Sequence, residues 1–196
     1  MPRVGVMALR KGALVNATIG EIGRAGSLDV TMGQIARAAG VSSALAHHYF
    51  GSKDDLFLAA MRAILQEFGA EARRGLAAAP TPRARLAALV RASFGGRNFQ
   101  PEVVSAWLNF YVMARTSPAA ARLLRVYQQR LVANLTHALR PLCPEPETTA
   151  RTTAALIDGL YIRHALAEAG PPDAATAIAT VERYLDHVRT HSEPSP

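Results

Sequence analysis

Three helix-start signals follow one another closely between residues 31 and 52, and this spacing restricts the fold more than any other feature. Thr31, Ser42 and Ser52 are residue types whose side chains cap a helix N-terminus by accepting a backbone hydrogen bond. Gln34, three residues after Thr31, completes a capping box. Gly40 ends the first short helix, so residues 40–42 form a turn before the second. Two short helices joined by such a glycine-containing turn form a helix-turn-helix.

The rest of the chain also shows helical patterns separated by glycine and proline, with no strand-like alternation of useful length. We predict an all-α fold of about nine helices, three short and six longer. The helices are expected over about residues 8–25, 31–39, 42–50, 52–75, 82–95, 118–140, 148–169 and 173–190, with one more from Pro101 through the aromatic residues near 110. Residues 1–52 are expected to form a three-helix domain, residues 53–190 a larger helical domain, and residues 191–196 a disordered tail.

Composition places the chain among globular proteins, because 49% of its residues are hydrophobic and 19% are charged. No segment approaches the roughly 18 uninterrupted apolar residues of a membrane span, and the start lacks a secretory signal. Cys143 is the single cysteine, so no disulfide framework is expected. These features predict a cytoplasmic protein without a membrane partner.

The net charge of +7 is compatible with an anionic partner such as nucleic acid. The excess is not concentrated near the helix-turn-helix, because residues 1–55 contain six Lys/Arg and four Asp/Glu. Charge alone is therefore equally consistent with a basic globular protein that binds no nucleic acid.

The second short helix has a face suited to a DNA major groove. Ser43, Ala44 and His47 share that face and are neither bulky nor strongly apolar, whereas Ala46 and the residues at 49 and 50 turn toward the first helix. The helix starts offer unpaired N–H groups that attract phosphate, and Lys53 lies beside the third start. The residues predicted to contact DNA are Thr31, Ser42, Ser43, Ala44, His47, His48, Tyr49 and Lys53.

Three other interpretations compete with DNA binding. The paired helices could be an ordinary corner of an all-α protein, or part of a helical scaffolding module. A helical enzyme is the third, but no activated nucleophile, metal cluster or phosphate-binding glycine loop is recognisable, and no cofactor is expected. Salt-dependent binding to duplex DNA separates the first interpretation from these.

Residues 31–56, TMGQIARAAGVSSALAHHYFGSKDDL, resemble the DNA-binding signature of TetR-type repressors. The shared elements are an Ile-Ala pair at 35–36, Gly-Val-Ser at 40–42, Phe50, Lys53 and Leu56. Ala44 stands where the family often has glycine, and Ala46-His47 where it has Leu-Tyr. The resemblance implies a homodimer that binds a palindromic operator, but these departures leave the operator sequence open.

Segments further along the chain are similar to the TetR-type repressors of the choline-to-glycine-betaine genes. They are AWLNFY at 106–111, QQRLVANL at 128–135 and ALIDGLYIRHAL at 155–166. The resemblance implies a repressor of osmoprotectant genes that responds to choline or a related quaternary ammonium compound and dimerises through its last two long helices. A different small apolar or cationic effector is the alternative.

Choline-like ligands carry a cation that cannot donate hydrogen bonds, so proteins hold it with aromatic faces, often beside a carboxylate. The candidate ligand-binding residues are Trp107, Phe110, Tyr111, Asp158 and Tyr161, which fall at i, i+3 and i, i+4 spacings on two helices. In the similar repressors tryptophan stands at positions 111 and 161. An aromatic stripe at helical spacing is equally a core pattern, and Phe94 and Phe99 are expected to be core or pocket wall.

Asp158 lies in an apolar run, where an unpaired carboxylate would be costly. It could meet the ligand cation or pair with an arginine such as Arg163 across a subunit interface. His187 and His191 have the spacing of metal ligands, with Asp186 beside them, but no third ligand is in view. No metal site is expected.

Overall fold

The computed structural model of the chain describes residues 2–167 and 173–190. Within these ranges it contains nine α-helices and no strand, which confirms the predicted fold class. The helices are α1 (Pro2–Ala25), α2 (Met32–Ala38), α3 (Ser43–Phe50), α4 (Lys53–Ala77), α5 (Pro82–Phe94), α6 (Pro101–Met113), α7 (Pro118–Leu139), α8 (Pro146–Ala165) and α9 (Ala174–Thr190). The predicted tail at 191–196 lies outside the described residues.

The three predicted helix caps are present. The Thr31 hydroxyl accepts from the Gln34 amide at 3.2 Å, and the Gln34 side chain accepts in return from the Thr31 amide at 2.7 Å. Ser42 and Ser52 each accept the amide hydrogen bond of the residue three positions on, at 3.2 and 3.1 Å. Gly40 adopts φ of 67°, the left-handed conformation that glycine reaches without a steric cost. The turn between α2 and α3 is therefore encoded locally.

Two helix boundaries differ from the predictions. Helix α1 begins at Pro2 instead of about residue 8. Residues 5–10 are all exposed, Val6, Met7 and Leu9 among them, so they show no buried stripe from which periodicity could be read. Helix α8 ends at Ala165, four residues early. That prediction relied on Gly170-Pro171-Pro172, which lie outside the described residues.

Helix α1 joins the N-terminal helices to the rest of the chain by packing against α4 and α6. Leu14 and Ile22 are fully buried in this contact region of the core. At Gly23 the approach to α6 is so close that an added Cβ would lie 2.6 Å from the Glu102 Cα. The predicted domain boundary at residue 53 stays a prediction, since α1 and α4 share one continuous core with α6.

The remaining helices surround a core rich in aromatic residues. Helix α6 packs against α8, α7 lies along α8, and α9 closes the assembly against α5 and α8. Among the described residues, none of the helices is long and apolar enough to cross a membrane.

We expect Gly23→Ala to lower the melting temperature. Alanine improves helix propensity by about 1 kcal/mol, but its methyl group would overlap the Glu102 backbone, and overpacking costs typically 1–3 kcal/mol. Gly20→Ala is the matched control on the same helix, where an added Cβ meets nothing within 4 Å. That variant should melt about 2–4 °C higher than the wild type in a calorimetric scan. Equal stabilisation by both substitutions would show that α1 and α6 are not in rigid contact.

Candidate functional site

The outward face of α3 presents small and polar side chains. Ser43, Ala44 and His47 are exposed, while Ala46 is fully buried against the other helices of the unit. Tyr49 and Phe50 are half-buried and pack against the core. This arrangement leaves a surface narrow and polar enough to enter a major groove about 12 Å wide.

His47 and Lys53 each make a contact with the backbone of their own unit. The His47 Nδ1 lies 3.0 Å from the Gly51 carbonyl oxygen. In the neutral ring, Nδ1 therefore carries the proton and Nε2 remains an acceptor. The Lys53 ammonium donates to the Leu28 carbonyl at 2.7 Å, which ties the start of α4 to the loop before α2. Two of its three donors remain for another partner.

Lys11 also lies at this surface, through a contact that no sequence pattern indicates. Its ammonium lies 5.6 Å from the centroid of the Tyr49 ring, within cation–π range. The contact brings a cation of α1 to the C-terminal half of α3. Residues 11 and 49 are far apart in sequence, so only the packing of α1 on the helix-turn-helix reveals it.

A second candidate site is the aromatic cluster, defined here as Trp107, Phe110, Tyr111, Tyr127 and Tyr161. The Trp107 ring is central, with centroid distances of 5.8, 5.7, 4.8 and 6.0 Å to the other four in that order. The four predicted aromatic residues are thus brought together. Phe110 is fully buried and meets Phe57 edge-on, so it is the member of the cluster that faces the core.

Tyr127 is the member that the sequence analysis missed. It lies on α7, with its ring edge-on to Phe68 of α4 at 5.7 Å as well as against Trp107. Tyr127 lies four residues from both Leu123 and Leu131, and this spacing predicts that it faces the same side of the helix as these apolar residues. That α7 brings it against α6 follows only from the topology.

Asp158 supplies a carboxylate to the aromatic cluster. The Tyr111 hydroxyl donates to its Oδ1 at 3.0 Å. Burial raises the Asp158 pKa to about 6, against the lowering effect of the Tyr111 hydrogen bond. Burial also raises the pKa of Tyr111, Tyr127 and Tyr161, and the nearby Asp158 charge adds to each shift. The carboxylate is therefore surrounded by neutral rings and is ionised at neutral pH at an energetic cost.

Tyr161 connects the cluster to the loop between α5 and α6. Its hydroxyl donates to the carbonyl oxygens of Ser93 and Asn98. Its ring stacks on Phe94 and meets Phe99 edge-on at 5.1 Å. Phe94 and Phe99 are both buried, and core was one of the two positions expected for them from the sequence. Tyr161 holds this loop in place as well as lining the cluster.

The pair considered for metal binding is only half within the described residues, which include His187 but not His191. Next to His187, the Asp186 carboxylate accepts hydrogen bonds from Arg83 at 3.4 Å and from Arg189 at 2.8 Å. Among the described residues, no group of three or more His, Cys, Asp or Glu side chains could hold a metal ion.

Both halves of the chain match known families. Residues 14–60 match the family described as bacterial regulatory proteins, tetR family, and residues 82–190 match the BetI-type transcriptional repressor C-terminal family. The chain is 48% identical to the HTH-type transcriptional regulator BetI of Brucella melitensis biotype 2, over 100% of this chain and 98% of that protein. It is 51% identical to the regulator of the same name from Agrobacterium fabrum, over 95% and 91%.

Solved structures share the fold. A transcriptional regulator from Pseudomonas aeruginosa PAO1 aligns with a TM-score of 0.76 and 27% identity, covering 92% of this chain and 90% of that one. A transcriptional regulator from Saccharomonospora viridis, in complex with choline, aligns with a TM-score of 0.77 and 21% identity, covering 90% and 95%. The relatives are regulators and not enzymes. The chain belongs to the TetR family of DNA-binding regulators and, within it, to the BetI-type transcriptional repressors.

Proposed function

We propose that the protein is a cytoplasmic, homodimeric repressor of choline-to-glycine-betaine genes that binds a palindromic operator and responds to choline or a close relative. The observation that carries the proposal is the Asp158 carboxylate, which is hydrogen-bonded to Tyr111 and acts electrostatically on Tyr127 and Tyr161. All three of these rings pack against Trp107. In this proposal the trimethylammonium head lies against these rings and beside the carboxylate.

The chemistry of the cluster matches a quaternary ammonium better than a neutral ligand. Each aromatic face in contact with the cation contributes about 0.5–2 kcal/mol, depending on how dry the site is. The half-buried carboxylate has a hydrogen bond from Tyr111 but no cationic partner in the described part of the protomer. A cation that enters the cluster therefore offsets a desolvation cost that the free protein already carries. Pairing of Asp158 with Arg163 of a second subunit is the competing arrangement.

The relatives support the same assignment. The Saccharomonospora viridis regulator was crystallised with choline. The Brucella and Agrobacterium relatives are named BetI, and this chain aligns with nearly their full length. The high coverage extends the likeness to the C-terminal helices, which hold the aromatic cluster. A different small apolar or cationic effector remains the alternative, and the choice of test ligand below separates the two.

For DNA binding, we propose that α3 enters the major groove. Ser43, Ala44 and His47 would reach base edges, while the helix starts and Lys53 would contact phosphates. Neutral His47, with Nδ1 bound to Gly51, would offer Nε2 as a hydrogen-bond acceptor. Lys53 would contact phosphate with the protons that the Leu28 carbonyl does not use.

The route between the two sites would run through α6. This helix carries Trp107 and also contacts α1 at Gly23, where the helix backbones meet. Asn109 donates to the Gly26 carbonyl at the end of α1, at 3.4 Å. A small shift of α6 on ligand binding would therefore move α1 and change the spacing of the two α3 helices. Choline can bias that spacing only if it binds the two states with different affinities.

The first prediction of this proposal concerns pH. Choline affinity should be roughly tenfold lower at pH 5 than at pH 8, because only the ionised Asp158 attracts the cation and its pKa is about 6. Choline does not titrate in this range, and the three tyrosines stay neutral. Titration calorimetry across this pH range, beside the neutral isostere 3,3-dimethylbutanol, measures the effect. The isostere should bind weakly and without pH dependence.

Two variants serve as controls for the choline titration. Asp158→Asn keeps a hydrogen-bond partner for Tyr111 and should flatten the pH profile. It should also raise thermal stability at pH 8. The pKa of Asp158 is raised in the folded state, so the wild-type protein loses stability as pH rises from about 4 to above 6, and asparagine does not ionise. Trp107→Leu keeps an apolar side chain and should weaken the binding of choline more than the binding of the isostere. Equal binding of the two ligands to the wild type would exclude the cation site.

The second prediction concerns DNA. Lys53→Gln should weaken binding to all duplex sequences about equally and reduce the salt slope by roughly one, because a phosphate contact releases counterions without reading sequence. His47→Ala should instead change the preferred bases at one position of each half-site. Fluorescence anisotropy with specific and scrambled duplexes measures both. Arg125→Gln, an exposed charge on α7, is the control and should leave the slope unchanged.

The third prediction concerns the dimer. Helix α8 exposes Ile162 and, beyond its end, Leu166, which are 39% and 66% exposed, and Gly159 leaves open space beside them. Leu166→Glu should shift sedimentation at micromolar concentration toward the monomer. Val112→Glu changes a similarly exposed residue of α6 and should remain dimeric. A wild-type monomer under these conditions would contradict the proposed dimer.

A further inference from the structure

A groove between α4 and α7 adjoins the aromatic cluster at Tyr127 but is otherwise lined by different residues. It encloses a cavity of about 380 Å³. Its apolar surface comes from both helices: Leu65, Phe68, Ala72, Leu76, Leu123 and Leu131. A volume of this size lies within the range of small-molecule sites in proteins, roughly 300–1,000 Å³.

Three arginines line the groove. Arg62 and Arg73 belong to α4, and Arg130 belongs to α7. No acidic residue is among the lining side chains, and α7 contains neither Asp nor Glu along its length. In the part of the chain that the structure describes, none of the three guanidinium groups forms an ion pair or a hydrogen bond with another side chain. The groove therefore combines an apolar wall with unpaired positive charge.

Gly69 keeps the groove open on the α4 side. A Cβ at this position would lie 3.4 Å from the Arg73 Nη1, so the guanidinium lies directly over the glycine. Glycine in the middle of a helix costs about 1 kcal/mol relative to alanine. As a lining residue without a side chain, it leaves its part of the groove unfilled.

We propose that this groove is a binding site for a small amphipathic monoanion, such as an alkyl or aryl carboxylate. The apolar part would cover the leucine and phenylalanine side chains, and the carboxylate would accept hydrogen bonds from the arginines, whose planar geometry matches it. Three cations at the groove repel a quaternary ammonium ion. The site is thus distinct in ligand class from the choline site, although Tyr127 borders both.

Tyr127 also makes the groove observable. Its ring lines the groove and lies 4.8 Å from that of Trp107, the single tryptophan of the chain. A ligand that packs against Tyr127 should therefore change the fluorescence of Trp107. This gives a readout that does not depend on DNA or on choline.

The test is titration of the full-length protein with decanoate, 1-decanol and decylammonium, each below its micelle concentration, followed by calorimetry and tryptophan fluorescence. Decanoate should bind at least about tenfold more tightly than either of the others. Arg130→Gln should weaken decanoate about two- to fivefold, as expected for one partly exposed charge pair. Arg122→Gln, on the same helix but outside the lining, should have no effect.

Gly69→Leu tests the groove without removing a charge. Leucine favours the helix and should not reduce stability, but it fills the space under Arg73 and should abolish decanoate binding. Choline titration of Arg130→Gln should match the wild type, so this result stays separate from the proposed effector site. Equal binding of the three decyl compounds, or equal effects of Arg130→Gln and Arg122→Gln, would overturn the proposal.

Discussion

The contact between α1 and α6 is the constraint on which the rest of the molecule depends. Gly23 contributes no side chain to this contact, so α1 approaches the Cα, Cβ and Cγ of Glu102 more closely than any other residue at position 23 would allow. Ser105 and Asn109 add polar contacts to carbonyls at the end of α1. The helix-turn-helix is thereby attached to the one helix that also contributes Trp107. A shift of α6 would therefore move α1 with it.

Sequence reasoning succeeded where structure is decided within a few residues. The caps at Thr31, Ser42 and Ser52 and the turn at Gly40 need only neighbouring atoms, and each is present. It could not reach contacts between distant elements. The Lys53 hydrogen bond to the Leu28 carbonyl and the Lys11 contact with Tyr49 depend on how the helices pack, and helix packing produces no periodic pattern in the sequence.

The aromatic cluster shows the same limit within one site. Helical spacing grouped Trp107 with Phe110 and Tyr111, and Asp158 with Tyr161, because those pairs lie on single helices. It could not show that α6 and α8 bring both groups together, nor that α7 adds Tyr127. Helical spacing also could not show which of these aromatic side chains pack into the core and which contact a neighbouring loop. Within the cluster, Phe110 faces the core against Phe57, while the Tyr161 hydroxyl holds the loop after α5.

The buried Asp158 carboxylate has a consequence for how long the protein lasts in a cell. Its raised pKa means that the ligand-free fold carries a cost of about 2–3 kcal/mol at neutral pH. Proteases degrade chains that open, and a difference of this size changes steady-state abundance several-fold. A cation that binds in the proposed manner offsets that cost, and the folded state gains stability in proportion to how tightly the cation binds. The effector would then set the amount of repressor as well as its conformation, and starvation for the effector would shorten the repressor's lifetime.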